Sequence, residues 1–512
     1  MPKRKSTVTK REKILQILKN YGQIKPKELV EFSGIAERTV RDNIKKLEKE
    51  GLIRVVGETS ERYYELIEDD NKPKEIFVIL EGHKVGTLLY GNGQHRFIYD
   101  KKYKGKPLPG LDKGSENVSA DLYPEFENLL PENQRREVLL QKYSEPADIL
   151  AHVTNHHGAY DFFTPEQYEA FDIDYSRRPN YNIVKKEILG ANQFPNLMDT
   201  LIDISDEVLD SNDSNYSGLS GYQNKVDVTF EDNKIIRAIK NPDYLLKPVN
   251  LDWSTYFKRR KPAQPKERDY YPYVALNEHL FMTFAKNELG FDVPYTGVIW
   301  DEKRKDFHYI TKRYDRFRNW KYQQRDFGQI MGYTSDNKYI PTSEKLFDAI
   351  AANINSALDK SAREDFLSFY YFSYVLKHTD LHVKNISVIN VGTTAKSLYQ
   401  LSPLYDIISV GVYNGKSQEL GLSLNGNYKN RKERDFHGLA ERLEIPIPVF
   451  EKRAEWIRNK FKSEFPKYIK AVEGIEKTIK LKYSMSRTKK IDFSQRLRNF
   501  YNERLVELKI PR

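Results

Sequence analysis

The segment at 379–385, which reads TDLHVKN, constrains the fold of this 512-residue chain more than any other feature. Asp380 is followed five positions later by Asn385, which is the spacing of a protein-kinase catalytic loop. In such a loop the Asp orients the attacking hydroxyl and the Asn binds magnesium. A helix predicted over 366–376 precedes the segment, and a short strand over 386–389 follows it.

A second carboxylate for a metal ion is expected just beyond the next turn. Asp406 lies there, within SPLYDIIS at 402–409, after a strand predicted at 398–401. The side-chain oxygens of Asn385 and Asp406 are hard ligands of the kind that Mg²⁺ prefers. The two segments together therefore predict a magnesium-dependent phosphotransfer site.

Four further elements of a kinase occur upstream in the expected order. A glycine-containing loop at 218–225 can hold phosphates through backbone N–H groups. Lys247 ends a predicted strand, Glu278 lies on the next predicted helix at 276–289, and a strand at 308–314 resembles an adenine-binding hinge. Each element alone has a structural alternative, such as a hairpin turn or a surface charge, but the order as a whole favours a kinase.

At these positions the sequence resembles the HipA family of serine/threonine kinase toxins. The resemblance rests on the two motifs above, on RYDR at 313–316, on GYQNK at 221–225 and on the Asn-Glu pair at 277–278. The amino-terminal subdomain of the family is matched by VGTL at 85–88 and FENLLPE at 126–132. The resemblance extends from about residue 75 to about residue 470 apart from 160–213.

The resemblance implies an α+β, protein-kinase-like bilobal domain with a small β-rich amino-terminal subdomain, using ATP and Mg²⁺. It implies that Asp380 is catalytic and that Asn385 and Asp406 bind the metal. The nucleotide-binding residues predicted in this way are Ser220, Gly221, Tyr222, Gln223, Asn224, Lys225, Lys247, Glu278, Lys312, Arg313, Tyr314, His382 and Lys384. Two positions depart from the family: Leu381 replaces a loop glycine, and Gly218 replaces a serine whose phosphorylation silences family toxins.

Residues 11–66 have the pattern of a winged helix-turn-helix. Three short helices are predicted, the third over 36–50, and two strands at 52–56 and 62–66 form the wing. The third helix of such a module enters the major groove. The predicted DNA-binding residues are Arg38, Thr39, Arg41, Lys45, Lys46 and Arg62. A solvated helix face and a protein-binding wing are the alternatives.

The net charge of +11 is concentrated at the two ends of the chain. Residues 1–66 carry 16 Lys/Arg and 10 Asp/Glu, and residues 477–512 carry 11 and 3, so the middle has a net charge of −3. This distribution favours nucleic acid as a partner of the ends. The absence of Cys excludes thiolate nucleophiles and Cys-ligated zinc, and no apolar run reaches the length of a membrane span, so we expect a cytoplasmic protein without a membrane partner.

We predict five segments along the chain. They are a winged helix-turn-helix at 1–68, a HipA-like amino-terminal subdomain at 75–159, a connector or insertion at 160–213, a HipA-like kinase domain at 214–475 and a basic tail at 476–512. Two motifs are set aside: Asp326-Phe327-Gly328 precedes the catalytic loop and cannot be its metal-binding DFG, and His152, His156 and His157 lack partner ligands.

The predicted function is that of a toxin-like serine/threonine protein kinase with a DNA-binding module that regulates its own transcription. The main alternative is a transcriptional regulator whose kinase-like body is a non-catalytic sensor or dimerisation domain, and a small-molecule phosphotransferase is a third. Expected partners are DNA, an antitoxin, a second copy of the chain and a protein substrate, for which the resemblance implies an aminoacyl-tRNA synthetase.

Overall fold

The computed structural model divides the chain into two compact units, Met1–Lys74 and Glu75–Arg512. The structure describes residues 9–50, 53–57, 62–66, 73–131, 133–143, 145–153, 155–171, 177–194, 203–209, 225–232, 234–238, 242–249, 273–302, 306–354, 360–393, 396–414, 418–483 and 493–510. Among these residues, no helix has the length and apolar character needed to cross a membrane.

The first unit is a winged helix-turn-helix. Its helices are Lys10–Tyr21, Pro26–Ser33 and Glu37–Lys49, and its antiparallel sheet has the strand order Gln23–Ile24, Tyr63–Leu66, Ile53–Val56. The turn between the second and third helices uses Gly34 in the left-handed conformation (φ 59°), which glycine adopts without steric cost. The three helices bury Leu18, Leu29, Val40 and Ile44 against one another. The predicted module is confirmed, and the short strand at Gln23–Ile24 is an addition to it.

The second unit begins with a five-stranded antiparallel sheet. Its strand order is Asn117–Ser119, Gln94–Tyr99, His83–Gly91, Lys74–Leu80, Tyr160–Phe163, and its helices are Pro124–Glu127, Asn133–Lys142 and Pro146–His152. Phe77 pairs with Phe163, so the last strand completes the sheet. The predicted boundary at 159/160 therefore cuts this sheet, because the predicted connector includes the strand Tyr160–Phe163.

A six-stranded sheet follows and carries the predicted lysine. Its strand order is Thr296–Asp301, Asp306–Lys312, Tyr244–Lys247, Val226–Glu231, Lys234–Arg237, Asp203–Ile204. Lys247 pairs with Tyr309 at the end of an inner strand, and the helix Val274–Asn287 packs on the two strands nearest the edge. The strand Asp203–Ile204 pairs in parallel with Lys234–Ile235. The predicted connector thus supplies a strand to each sheet, as well as the helix Tyr181–Leu189.

The rest of the second unit is mostly helical. Its longer helices are Ser343–Asn353, Lys360–Leu376, Ile447–Tyr483 and Phe493–Glu507, and shorter ones lie at Pro165–Tyr168, Asp206–Leu209, Phe327–Met331, Gly411–Asn414 and His437–Arg442. Among the described residues of this part, 3₁₀ turns occur at Ser335–Asn337, Val383–Asn385 and Glu433–Phe436. Gln324–Asp326, Ser387–Asn390 and Tyr399–Leu401 form a three-stranded sheet, and Arg316–Phe317 pairs with Trp320–Lys321.

The predicted basic tail is part of the largest core. The helix Ile447–Tyr483 is continuous across the predicted boundary at 475/476. The following helix, Phe493–Glu507, buries Phe493, Leu497 and Phe500 in the same core as the helix Lys360–Leu376. Residues 493–507 of the predicted tail therefore form a packed helix with an apolar face, which its basic composition did not indicate.

Candidate active site

A partly buried ionic cluster joins two strands, a helix and a loop of the second unit. Lys247 Nζ donates to both carboxylate oxygens of Glu278, at 2.8 and 2.9 Å, and it also donates to Asp406 Oδ1. Lys225 Nζ lies 3.7 Å from the other oxygen of Asp406. Four residues that were predicted separately, 181 positions apart at the extremes (225 to 406), therefore meet at one place.

The charges of this cluster influence one another. Burial opposes ionisation of Asp406, but Lys225 and Lys247 outweigh it and hold the pKa of that carboxyl well below its usual range. Burial raises the pKa of Glu278 to about 7, against the lowering effect of Lys247. Burial also opposes the charge of Lys247, but Asp406 and Glu278 raise its pKa above the ordinary value. The lysine is therefore a fixed cation held between two carboxyl groups.

Asp406 adopts an unusual backbone conformation. Its φ is 54°, in the left-handed region, where non-glycine residues are uncommon and Asp and Asn are the best tolerated. The residue follows Tyr405, whose hydroxyl donates to the carbonyl oxygen of Lys384 at 2.8 Å. This bond ties the loop that carries Asp406 to the residue before Asn385, so the two predicted metal ligands are linked through their neighbours.

The predicted catalytic loop follows the helix Lys360–Leu376. The Asp380 side chain is exposed, and desolvation by the surrounding protein raises the pKa of its carboxyl above the ordinary value. Asn385 is buried, and its Nδ2 donates to the carbonyl oxygen of Asp380 at 3.1 Å. Tyr339 Oη donates to Asp380 Oδ1. Asn385 thus fixes the loop, and Tyr339 contacts the carboxylate itself.

Two other residues of the loop are buried. Lys384 Nζ donates to Asn128 Oδ1 at 2.5 Å and lies 3.9 Å from Asp326 Oδ2. The ring of His382 meets that of Tyr339 edge to face, with centroids 4.9 Å apart. Asn128 belongs to the FENLLPE motif, so the amino-terminal subdomain contacts the predicted catalytic loop directly. The nucleotide-binding roles of His382 and Lys384 stay predictions.

The hinge-like segment lies at the end of the strand Asp306–Lys312. Lys312 Nζ donates to the carbonyl oxygen of Glu187 at 3.1 Å. The Arg313 guanidinium is buried and donates to Asp227 and Asp315, and Tyr314 stacks on Tyr405 with centroids 5.5 Å apart. Adenine binding by this segment therefore stays a prediction. Of the predicted phosphate loop, Ser220, Gly221, Tyr222, Gln223 and Asn224 lie outside the described residues, as does Gly218.

Both of the motifs set aside have structural explanations. Asp326 caps the helix Phe327–Met331 by accepting from the Gln329 backbone N–H at 2.7 Å. His156 and His157 are buried, and Nδ1 of His156 lies 3.2 Å from the carbonyl oxygen of Leu129. In the part of the chain that the structure describes, no group of three or more His, Asp or Glu residues is arranged to hold a metal ion. A magnesium site with one or two protein ligands does not require such a group.

The first unit presents the predicted DNA-binding residues on one helix and on the wing. Arg38, Arg41, Lys45 and Lys46 are exposed on the helix Glu37–Lys49, and Thr39 is half-buried. Arg41 donates to Glu37 at 2.8 Å. On the wing, the Arg62 guanidinium lies 5.8 Å from the centre of the Tyr64 ring. The basic side chains thus share the solvent face of the predicted recognition helix, and their contacts with DNA stay a prediction.

Sequence reasoning did not find three residues around the site. Asn128 and Tyr405 contact Lys384, and Tyr339 contacts Asp380. Tyr405 and Asn128 lie in motifs that carried the resemblance, so a signal existed for them. Tyr339 lies 41 positions before Asp380 in a polar stretch without a recognisable motif, and only the fold brings it there.

Comparison with known proteins identifies the types of the two domains and a similar fold. Residues 217–468 match the family described as HipA-like C-terminal domain, and residues 9–54 match the family described as winged helix-turn-helix DNA-binding. A solved structure from Shewanella oneidensis MR-1, described as the toxin–antitoxin system HipA, HipB and its operator DNA complex, has a TM-score of 0.54 and 16% identity. That match covers 85% of this chain and 96% of that chain.

A second structure, the proinflammatory kinase CtkA of Helicobacter pylori, has 16% identity over 56% of this chain and 89% of that chain. Its TM-score is 0.33. The similarity to the Shewanella structure shows the fold, and the two family matches show the domain types. The predicted fold class and the predicted resemblance are both confirmed.

Proposed function

We propose that this chain is an ATP- and Mg²⁺-dependent serine/threonine protein kinase fused to a DNA-binding module. The HipA-like C-terminal domain at residues 217–468 and the winged helix-turn-helix at residues 9–54 support this proposal. The observation that carries the proposal is the buried contact of Lys247 with both Glu278 and Asp406. A strand lysine held by a helix glutamate is a requirement of active protein kinases.

Each residue of the cluster has its own role in the proposed phosphotransfer. Lys247, oriented by Glu278, binds phosphate oxygens, and Lys225 adds a second positive charge beside Asp406. The side-chain oxygens of Asn385 and Asp406 are of the kind that Mg²⁺ prefers; these two residues would hold the ion, which would neutralise charge on the phosphates. Positioning and electrostatic stabilisation of this kind supply most of the catalysis in phosphoryl transfer.

Asp380 acts on the acceptor. Its carboxylate accepts a hydrogen bond from a serine or threonine hydroxyl of the protein substrate and takes its proton as transfer proceeds. The hydroxyl oxygen forms a bond to the γ-phosphorus, the bond to the β–γ bridging oxygen breaks, and ADP leaves. The Asp380 side chain is exposed, which suits a substrate as large as a protein.

The kinase proposal is tested by incubating the protein with labelled ATP, Mg²⁺ and cell lysate. We expect wild-type protein to label a protein band and Asp380→Ala to lose at least about 100-fold of that rate. Asp121→Asn, a change at an exposed aspartate of the amino-terminal subdomain, is the matched control and should label normally. Equal labelling by wild type and Asp380→Ala contradicts the proposal.

The target is proposed at the level of a class. Resemblance to kinase toxins supports an aminoacyl-tRNA synthetase as substrate and growth arrest as the outcome, with an antitoxin as a partner. Phosphoproteomics of cells that express wild type or Asp380→Ala identifies the target. Label found only on small molecules would favour the small-molecule phosphotransferase instead.

The winged helix-turn-helix supports a second role, autoregulation of transcription. Exposed Arg38 and Arg41 are expected to contact DNA, so replacing both with Ala should weaken promoter binding and reduce the salt slope by about two. Lys13→Ala, an equal change of charge per residue on the first helix, is the control. If both the DNA affinity and the salt slope of the double variant are unchanged, the proposal that this is the recognition helix is wrong.

The alternative function is that of a regulator whose kinase-like body is a non-catalytic sensor or dimerisation domain. The winged helix-turn-helix match supports this alternative as well. Promoter binding that survives Asp380→Ala, together with no phosphotransfer by wild type, would favour it. Sedimentation of the full chain determines whether a second copy is a partner.

A further inference from the structure

We propose that Tyr339 is a positioning residue for Asp380, whose carboxylate it holds in the orientation that accepts a substrate hydroxyl. The inference rests on the proposed kinase function and adds to it a residue outside the kinase motifs of the sequence.

The contact is made at two points of the predicted catalytic loop. Tyr339 Oη donates to Asp380 Oδ1, and the Tyr339 ring packs edge to face on His382 with an interplanar angle of 87°. A hydrogen bond to one carboxylate oxygen leaves acceptor capacity on the other. The bond therefore orients Asp380 without using up the oxygen that a substrate hydroxyl requires.

Asp380 needs an orienting partner because its loop fixes only its backbone. Asn385 donates to the Asp380 carbonyl oxygen at 3.1 Å, not to the carboxylate. The side chain itself is exposed, and an exposed carboxylate rotates about its χ angles unless something holds it. Within the described residues, the hydrogen bond from Tyr339 restrains the Asp380 carboxylate.

Tyr339 is itself held in place at both ends of its segment. On one side, the Thr334 backbone N–H donates to Asn337 Oδ1 at 2.6 Å, and the Ile340 N–H donates to the Asn337 carbonyl at 3.0 Å. On the other, the Ser343 N–H donates to the Ser423 carbonyl at 2.8 Å. A hydroxyl on such a segment is pre-organised, so little conformational entropy is lost when it orients Asp380.

The kinetic test uses Tyr339→Phe, which removes the hydroxyl and keeps the ring against His382. We expect kcat to fall roughly tenfold, as for loss of a hydrogen bond to a charged group, while KM for ATP stays unchanged. Ile340→Ala changes the neighbouring side chain, which is 69% exposed, and should leave both constants unchanged. A kcat for Tyr339→Phe equal to or above that of wild type overturns the inference.

A second measurement does not depend on activity. Hydrogen exchange of the segment 335–341 should be faster in Tyr339→Phe and in Asp380→Ala than in wild type, because each variant removes one partner of the bond. Unchanged exchange in both variants overturns the inference. Labelling that requires Asp380 but not the Tyr339 hydroxyl contradicts only the inference, whereas wild type without any Asp380-dependent labelling contradicts the proposed function.

Discussion

At the scale of single residues, Lys247 has an environment that is sensitive to substitution. It is buried and contacts two carboxyl groups, so its removal leaves Glu278 without the cation that offsets its burial. Breaking a buried ion pair by removing one partner is strongly destabilising, whereas replacing the pair with apolar groups often is not. Stability and activity can therefore be separated at this site.

We expect Lys247→Met to lower the free energy of unfolding by about 3–5 kcal/mol and to abolish labelling by ATP. Lys247→Met combined with Glu278→Leu should recover most of that stability and none of the activity. Chemical denaturation and the labelling assay measure the two quantities. A double variant as unstable as the single one contradicts the assignment of the loss to an unpaired Glu278.

Gly421 packs against the backbone of the predicted catalytic loop. A Cβ at this position would lie 2.2 Å from the carbonyl oxygen of Leu381, which is far inside contact distance. The loop must shift to admit it, because the clash is with backbone atoms. We expect Gly421→Ala to reduce labelling at least about tenfold through a displaced Asp380.

Gly438 provides the matched control for that change. A Cβ at Gly438 meets nothing within 4 Å, and the residue lies in a helix. Gly438→Ala should keep wild-type labelling and raise the free energy of unfolding by up to about 1 kcal/mol. Normal labelling by Gly421→Ala would show that the loop tolerates the displacement.

The sequence predicted the cluster residues because each lies in a motif with a fixed position in the kinase order. It did not predict Tyr339, since no local pattern places a tyrosine next to an aspartate 41 positions away. It did not predict that the ammonium group of Lys384 contacts Asn128, and the nucleotide-binding role of Lys384 stays a prediction. Partners that come from distant segments are fixed by packing, and sequence spacing does not encode them.

At the scale of elements, the secondary structure around the site follows the predicted pattern closely. The strand Tyr244–Lys247 and the helix Val274–Asn287 lie where alternation and helical periodicity indicated. The segment at 160–213 was not resolved into elements by its pattern, because its strands are short and their partners are far away in sequence. Tyr160–Phe163 and Asp203–Ile204 become strands only through pairing with the two sheets.

The basic helix Phe493–Glu507 contains an arginine that does not face the solvent. Arg504 is fully buried, and it donates to the carbonyl oxygens of Val375 and Tyr374 at 3.0 and 2.8 Å and to Glu419 at 3.3 Å. An arginine held in this way stabilises the helix against the core. It is not available to nucleic acid, which the basic composition of the segment had favoured as a partner.

Two arginines of this helix form a matched pair for a stability test. Arg504→Met removes a buried charge whose partners remain, so we expect a loss of about 3–5 kcal/mol. Arg498 is half-exposed and pairs with Glu473, so Arg498→Met should cost at most about 1 kcal/mol. Thermal and denaturant unfolding compare them, and equal losses would contradict the burial of Arg504.

At the scale of the whole molecule, buried histidines make the second unit sensitive to acid. Burial lowers the pKa of His157 and of His279 to about 3 and that of His378 to about 4. Histidines of the unfolded chain titrate near the ordinary value of 6.5, so above that pH protonation does not favour unfolding and the folded state has its full stability. This stability is lost as the pH falls from 6.5 towards 3, by up to about 1.4 kcal/mol per pH unit for each histidine.

We expect His157→Gln to reduce the slope of unfolding free energy against pH by about one proton between pH 6.5 and 4.5. His83→Gln, at an exposed position of the same unit, is the control and should keep the wild-type slope. Denaturant unfolding at four or five pH values measures both. An unchanged slope in His157→Gln would show that this histidine does not couple folding to protonation.

The left-handed backbone at Asp406 also bears on how such a chain diverges over evolutionary time. Most residues are strained at a φ of 54°, but Asn and Gly are tolerated there, and each is one nucleotide substitution away from Asp. A descendant could therefore exchange this carboxylate for an amide or a hydrogen and keep the loop intact. If the proposed function holds, a single mutational step at this position separates a catalytic chain from a non-catalytic one with the same loop conformation.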